Sequence, residues 1–281
     1  MASRQKLLSS TSPPALVIVA KGAAGGQGGT LFTCVLADIF AMNGVGASLV
    51  QIDNQEKLSL TFGSAVMSVD TAQIGARRDD PTAATAVFSS LYDRVVGIRD
   101  SGASAIVDCG ALQSSLLFRF AQVAEFDEEL RSLEIPIVIF IMVTASAESI
   151  RQASLTISEA QRALPSARII LVENQRDGAL ASLPRGSDAV AVLESELAPQ
   201  LTCLDRITMP RIGGGSWRNF ERSHQRFVSV IGMPVNEIVA LTGLPRSEAK
   251  ISRGEIALWF GEMEAEVSKI LDLGGFDHVG A

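Results

Sequence analysis

Cysteine is scarce in this chain: Cys34, Cys109 and Cys203 are odd in number, widely spaced and without CxxC or Cys/His ligand spacing. That argues against a disulfide framework and against a structural zinc site, and fits a reducing compartment. Histidine is scarcer. His224 and His278 stand in no Cys, Ser or Asp constellation that would support nucleophilic catalysis or metal binding, so both read as surface residues. Long apolar runs are missing too. The longest, Ile135 to Val143 with Ala145 beyond, falls far short of the about 20 residues that span a bilayer. The opening MASRQKLLSSTSPP is polar and carries no recognisable secretion signal, so a cytoplasmic location is expected. Excess positive charge is absent as well: 24 Lys+Arg stand against 31 Asp+Glu, a net charge of −7 that removes any global attraction to nucleic acid. No internal repeat is visible.

What is present is a 281-residue chain, 47% hydrophobic and 20% charged, enough for one large domain with additions. Short Val/Ile-rich runs bounded by turn residues alternate with longer stretches of helical spacing, the pattern of buried parallel strands with crossover helices. Strands are predicted at Ala15 to Ala20, Ala47 to Ile52, Ala105 to Val107, Ile135 to Val143 and Arg168 to Glu173, with a sixth near Leu204 to Met209. Helices are predicted near Thr30 to Asn43, Thr82 to Ser101, Ser115 to Leu133, Ser146 to Leu164 and Asp188 to Ala198. The alternation implies an α/β fold with a doubly wound, mostly parallel sheet. Residues 1–14 read as a flexible arm, 15–212 as the α/β core, and 213–281 as a helical C-terminal part packed on it, with Gly213 to Ser216 as a flexible junction.

The segment ALVIVAKGAAGGQGGTLFTCVLADIFA, from Ala15 to Ala41, is a buried strand, a loop with five glycines and an amphipathic helix. This is the layout of a phosphate-binding loop, in which glycine lets several backbone N–H groups face phosphate oxygens at a helix N-terminus. Against GxxxxGK[ST], Thr30 takes the last place, Gly28 the second glycine, Ala23 the first, and Gly29 stands where the phosphate-gripping lysine belongs. As plain structure, the same glycines would make a tight strand-to-helix turn and Thr30 a helix N-cap.

Four motifs taken in order resemble the ParA/MinD class of deviant-Walker P-loop ATPases over roughly residues 15–240. Ala24-Gly25-Gly26-Gln27-Gly28-Gly29-Thr30 is similar to the family loop KGGxGK[ST] at three glycines and the threonine, with both lysines replaced, by Ala24 and Gly29. Gln51-Ile52-Asp53-Asn54-Gln55 resembles the family's DxDxxQ strand end, and Asp53 lies 24 residues after Gly29, where the family's water-positioning Asp falls. Ala105-Ile106-Val107-Asp108 resembles the Walker B strand, and Ile169-Ile170-Leu171-Val172-Glu173-Asn174 ends in Asn where relatives recognise adenine.

The resemblance implies ATP or ADP with Mg²⁺ as cofactor. Gly25, Gly26, Gln27, Gly28, Gly29, Thr30 and Asn174 would hold the nucleotide, Thr30 and Asp108 the metal, and Asp53 the attacking water. Phosphoryl transfer depends on positioning and charge stabilisation, so loss of both lysines implies slow or absent hydrolysis. Lys21, Lys57, Arg77 and Arg78 are the cations left to supply charge from new places, and restoring lysine at 24 and 29 is expected to rescue hydrolysis if the rest of the site is intact. The family further implies a homodimer, a protein partner of a partition, conjugal-transfer or positioning system, and nonspecific DNA as a candidate target. The alternative is a pseudo-ATPase scaffold that binds no nucleotide.

Leu204 to Arg226 carries Arg206, Arg211, Arg218, Arg222 and Arg226 against Asp205 and Glu221. On a continuous helix Arg218, Arg222 and Arg226 form one stripe, and with Arg211 they are the candidate contacts to DNA or a partner; a solvated face is the plain reading. EIVALTGLPRSEAK, from Glu237 to Lys250, has a helix-turn-helix outline, but Pro245 and Glu248 count against a recognition helix. In the last helix Ile251, Ile256, Trp259, Met263, Val267 and Ile270 keep helical spacing, and Glu255, Glu262, Glu264 and Glu266 make its polar face acidic. Docking on the core or on a partner subunit follows, rather than membrane binding.

Overall fold

The structure, a computed structural model, describes residues 14–23, 25–53, 55–71 and 81–273. Strand β1 (Leu16–Ala20), LVIVA, is buried throughout, since β4 (Ser104–Cys109) pairs with it on one side and β5 (Ile137–Val143) on the other. Apolar side chains on both faces suit a parallel strand covered by helices on both sides. With β2 (Ala47–Ile52), β3 (Val66–Ser68), β6 (Arg168–Asn174) and β7 (Asp205–Met209), the seven strands run parallel in the order β3-β2-β4-β1-β5-β6-β7. From β1 the chain first builds outward on one side and, from β5 onward, on the other. The crevice beyond the carboxyl end of β1 is therefore the topological switch point, where such sheets take ligands.

The helices are α1 (Gly29–Met42), α2 (Lys57–Phe62), α3 (Pro81–Val96), α4 (Ile98–Ser101), α5 (Gln113–Val123), α6 (Phe126–Ser132), α7 (Ala147–Ala163), α8 (Asp188–Val192), α9 (Ala198–Leu201), α10 (Arg218–Arg222), α11 (Phe227–Gly232), α12 (Val235–Thr242) and α13 (Arg246–Ser268). Alternate residues of β1 feed two cores. Leu16, Ile18 and Ala20 join Phe88, Phe120 and Ile150 on one face, while Val17 and Val19 join Phe32, Ile39 and Trp259 on the other.

Several predicted boundaries shift. The helix expected over Thr82 to Ser101 is interrupted at Gly97. The one expected over Ser115 to Leu133 breaks at Glu125, whose φ of +50° cannot continue an α-helix. The one expected over Asp188 to Ala198 passes through a π-turn at Leu193–Leu197. Strand β3 was not anticipated: three partly exposed residues at the sheet edge leave too short a signal. The N-terminal arm, except Pro14, lies outside the described residues, as do Ala24, Asn54, Arg77 and Arg78.

The C-terminal helices close over α1. Trp217 stacks on Phe227 with centroids 3.8 Å apart and planes at 7°, Trp259 lies 5.2 Å from the same ring, and the Trp259 indole N–H donates to the Pro210 carbonyl at 2.7 Å. Such aromatic pairs add about 0.5–1.5 kcal/mol beyond their buried area. The junction expected to be flexible at Gly213 to Ser216 contains a 3-10 turn, Gly213–Gly215, and the Ser216 hydroxyl bonds Glu255 of α13. The Arg218/Arg222/Arg226 stripe does not form. Helix α10 ends at Arg222, and Arg226 instead pairs with the fully buried Asp38 of α1, Nε to Oδ1 at 2.7 Å and Nη2 to Oδ1 at 2.6 Å. The would-be recognition helix is α13, which buries Ala249, Ile256, Trp259, Phe260, Met263 and Val267 in the core. Ile251 departs from that face and is 60% exposed; the five-residue step to Ile256 carries it well around the helix.

Candidate phosphate-binding site

The crevice edge is assembled by strand register. Val19 of β1 and Gln51 of β2 both lie level with Asp108 of β4, so Lys21 and Asp53, each just past its strand, meet at the carboxyl end beside Asp108. The backbone of Lys21 is clamped at both its groups: its N–H donates to Ser114 Oγ at 3.3 Å, and that hydroxyl donates to the Lys21 carbonyl at 3.0 Å. Ala23 N–H then donates to Gln152 Oε1 at 3.2 Å, tying the start of the loop to α7.

The end of β6 shapes the loop itself. Asn174 Nδ2 donates to the Gln27 carbonyl at 2.9 Å and Arg176 Nη1 to the Gly26 carbonyl at 2.6 Å. A trans peptide carries its N–H opposite its carbonyl, so these bonds turn the N–H groups of Gln27 and Gly28 the other way. Gly28 is required twice over, by its φ of +86° and because a Cβ there would run into the Asn174 amide. Asn174 Oδ1 accepts from Arg176 N–H at 3.1 Å. Asn174 Nδ2 thus holds the glycine loop, while its Oδ1 caps the turn that follows β6.

Helix α1 follows with no side-chain cap, and Gly28 is its N-cap residue. The first intrahelical bond runs from Phe32 N–H to the Gly28 carbonyl, which leaves the amides of Gly29, Thr30 and Leu31 ahead of the ladder, where the helix dipole favours an anion. Thr30 does not cap the helix. Its hydroxyl donates to Asp108 Oδ2 at 2.7 Å, and a second hydroxyl, that of Thr33, stands 3.3 Å from Oδ1. Asp108 is 1% exposed. Burial pushes its carboxyl above the ordinary carboxylate range, against the pull of the Lys21 ammonium and the Thr30 hydroxyl. The ammonium lies 3.3 Å from Thr30 Oγ1, 3.8 Å from Asp108 Oδ1 and 4.0 Å from Asp53 Oδ2. Asp53 Oδ1 accepts from Gln55 N–H at 3.2 Å. Burial also raises the thiols of Cys34 and Cys109 far above their usual range, which disfavours the thiolate form.

These groups open onto a cavity of about 870 Å³, within the range of small-molecule and cofactor sites. Its walls run from Gly25–Leu31 past Asp53 and Asn174 to Arg211, Trp217, Arg218 and Arg222. The cavity thus brings every predicted nucleotide residue to one wall and three of the four predicted partner arginines to another; Arg226 stands apart. Four of the five buried side-chain polar atoms without a partner among the described residues belong to Gln27, Gln113 and Trp217, all of which line this cavity. Orphaned buried polar atoms carry a desolvation cost that a polar ligand would relieve. Sequence reasoning had no signal for Arg176, Gln113 or Trp217 as members of the site. Lys21 did leave one, a lysine directly closing an all-apolar strand.

The donor set suits Mg²⁺ bound with phosphate. Thr30 Oγ1 and Asp108 Oδ2 are hard oxygen donors 2.7 Å apart that could serve such an ion. Among the described residues no group of three or more His, Cys, Asp or Glu side chains could hold a metal by itself. Mg²⁺ commonly takes one or two carboxylates and completes its shell with phosphate oxygens and water.

Parallel sheet, switch point and glycine turn running into α1 define a P-loop NTPase-like α/β fold. Among solved structures the chain is similar to the MinC:MinD cell division protein complex of Aquifex aeolicus, at 15% identity over 87% of this chain and 96% of that one, TM-score 0.46. It is similar also to an McdA–ATP complex of Cyanothece, at 13% identity, 86% and 96% coverage and TM-score 0.49. A third is a putative plasmid partition protein of Borrelia burgdorferi B31 bound to AMPPNP, at 12% identity, 88% and 99% coverage and TM-score 0.48. Identities of this order concern fold alone, and the chemistry of the site rests on its own residues. No family model and no curated protein matches the chain. Among the described residues no helix is long and apolar enough to cross a membrane.

Proposed function

We propose that the chain is a ParA/MinD-like nucleotide-binding protein of a positioning, plasmid partition or conjugal-transfer system, with slow or absent ATP hydrolysis. The observation that carries this reading is the Thr30–Asp108 hydrogen bond of 2.7 Å at the head of α1, directly before the unladdered amides and the large cavity. In this reading the loop amides hold the phosphates, Thr30 and Asp108 hold Mg²⁺, and Asp53 orients water. ATP favours a homodimer that engages a protein partner or DNA through the wall of Arg211, Arg218 and Arg222.

The test is thermal unfolding with Mg·ATP, with Mg·ADP, and with each nucleotide in excess EDTA, with molar mass followed by light scattering. Ligand at about 100 times its dissociation constant stabilises by about 2.7 kcal/mol, so a clear rise in Tm that EDTA reduces and Asp108→Asn removes is expected. No shift with either nucleotide would sink the reading. It would favour the second one, a pseudo-ATPase scaffold, to which the substitution of both loop lysines by Ala24 and Gly29 points.

A further inference from the structure

We propose that Lys21 is the phosphate-facing cation of this site, delivered from the end of β1, and that position 29 is glycine because the Lys21 side chain passes through the space a residue there would need. The proposal rests on the nucleotide reading for its ligand, but its geometry stands alone. A Cβ built on Gly29 would lie 3.0 Å from Lys21 Cδ, 3.5 Å from Nζ and 3.7 Å from Cε. Position 29 and the stem of Lys21 therefore compete for one volume. Gly29 is the first residue of α1, the place where a loop lysine would start, so one cation has replaced another by a different route.

Three further features fit a phosphate ligand. Lys21 is held at its backbone by Ser114, which fixes the origin of the side chain. An ammonium has three donors, and that of Lys21 has one acceptor within hydrogen-bond distance among the described residues, Thr30 Oγ1 at 3.3 Å; the two carboxylates stand off at 3.8 and 4.0 Å. The same ammonium is the only ion-pair partner of Asp53 and Asp108 among the described residues. A cation with uncommitted donors, beside helix-start amides and next to two candidate Mg²⁺ or water-binding carboxylates, is placed to meet phosphate oxygens. Lysine restored at position 29 while Lys21 remains must push the Lys21 stem aside by a few tenths of an ångström, so it is expected to compete with Lys21 rather than repair the loop.

Four proteins test this: wild type, Lys21→Met, Gly29→Lys and the double variant, each measured by thermal unfolding and by calorimetric titration with Mg·ADP. Gly29→Ala, which adds only the Cβ, serves as the milder probe of volume if Gly29→Lys folds poorly. Lys21→Met is expected to weaken Mg·ADP by at least about tenfold. Gly29→Lys alone should lower Tm and weaken binding. In the double variant the lysine at 29 finds room, and both Tm and affinity should recover toward wild type. Lys21→Met binding within twofold of a nucleotide-binding wild type would overturn the phosphate role. Additive Tm changes across the four proteins would overturn the shared volume. A wild type that binds no nucleotide would overturn the nucleotide reading and the phosphate role with it, while the thermal cycle still decides the competition for space.

Discussion

Two buried carboxylates on the same side of the sheet each face a cation, and they are built differently. Asp38 meets the Arg226 guanidinium at 2.6 and 2.7 Å, takes the Val228 N–H at 3.2 Å, and the guanidinium lies 4.8 Å from the Phe62 ring centroid. The two bonds to Asp38 join α1 to the C-terminal part, the ring contact ties Arg226 to α2, and the pair is closed. Asp108 has its Lys21 ammonium at 3.8 Å, two hydroxyls around it, and a cavity in front of the cluster. Burial raises both carboxyls above the usual range, so a shifted titration does not separate a clasp from a site. What separates them is slack: the clasp spends its donors on the protein, and the loop cluster keeps some back.

The sharpest break in this comparison is Arg226→Ala. Stripping one partner from a buried pair leaves an uncompensated charge, and a loss of about 3–5 kcal/mol is expected in urea unfolding. Replacing both partners with apolar residues, as in Asp38→Leu with Arg226→Met, should recover most of that loss, and nucleotide affinity should follow folding only. Asp108→Asn is expected to do the reverse, weakening Mg·ADP by at least about tenfold at a smaller cost in stability. If the two variants lose stability and affinity in the same proportion, the distinction between clasp and site falls.

A pH series sharpens the comparison further. Both carboxyls hold their protons more tightly in the folded chain than in the unfolded one. The stability they contribute is therefore full below the unfolded-state pKa and is lost as pH rises through the folded one. The slope is at most about 1.4 kcal/mol per pH unit for each group. Asp108→Asn should flatten the decline of unfolding free energy above about pH 4; profiles parallel to wild type would contradict the raised titration. Asn174→Ala releases the Gln27 carbonyl and should cost about 1 kcal/mol together with a severalfold loss of nucleotide affinity. Smallest of all, Arg222→Ala should change stability by no more than about 0.5 kcal/mol, and its readout is weaker, less salt-dependent binding to a polyanion such as duplex DNA.

Much of the fold was legible because parallel strands buried on both faces leave unbroken apolar runs, as in LVIVA of β1 and IVIFIMV of β5. The edge strand β3, only three residues long, leaves no such run. Helix breaks at Gly97 and Glu125 turn on single backbone angles that periodicity does not register. The placement of Thr30, Asp53 and Asp108 at the sheet's carboxyl edge was legible because each stands at or next to the end of a strand or the start of a helix. The bracing role of Asn174 was not legible: a strand-end Asn looks the same whether or not it holds a loop, and only the bond to the Gln27 carbonyl at 2.9 Å shows that it does. Arg226 was misplaced for a similar reason: spacing of i, i+4, i+8 presumes a helix that ends at Arg222. Lys21 stood in view as a cation from a new place, but its link to Gly29 is a matter of shared volume, which no spacing rule contains.

The central claim, that a glycine loop without its lysines still binds nucleotide, is tested most directly by calorimetric titration of the wild-type protein with Mg·ADP and Mg·ATP. Micromolar affinity, about −8 kcal/mol, is the expected result. No heat up to about millimolar ligand, an affinity weaker than about −4 kcal/mol, would contradict it and leave the loop as a strand-to-helix turn in a scaffold protein.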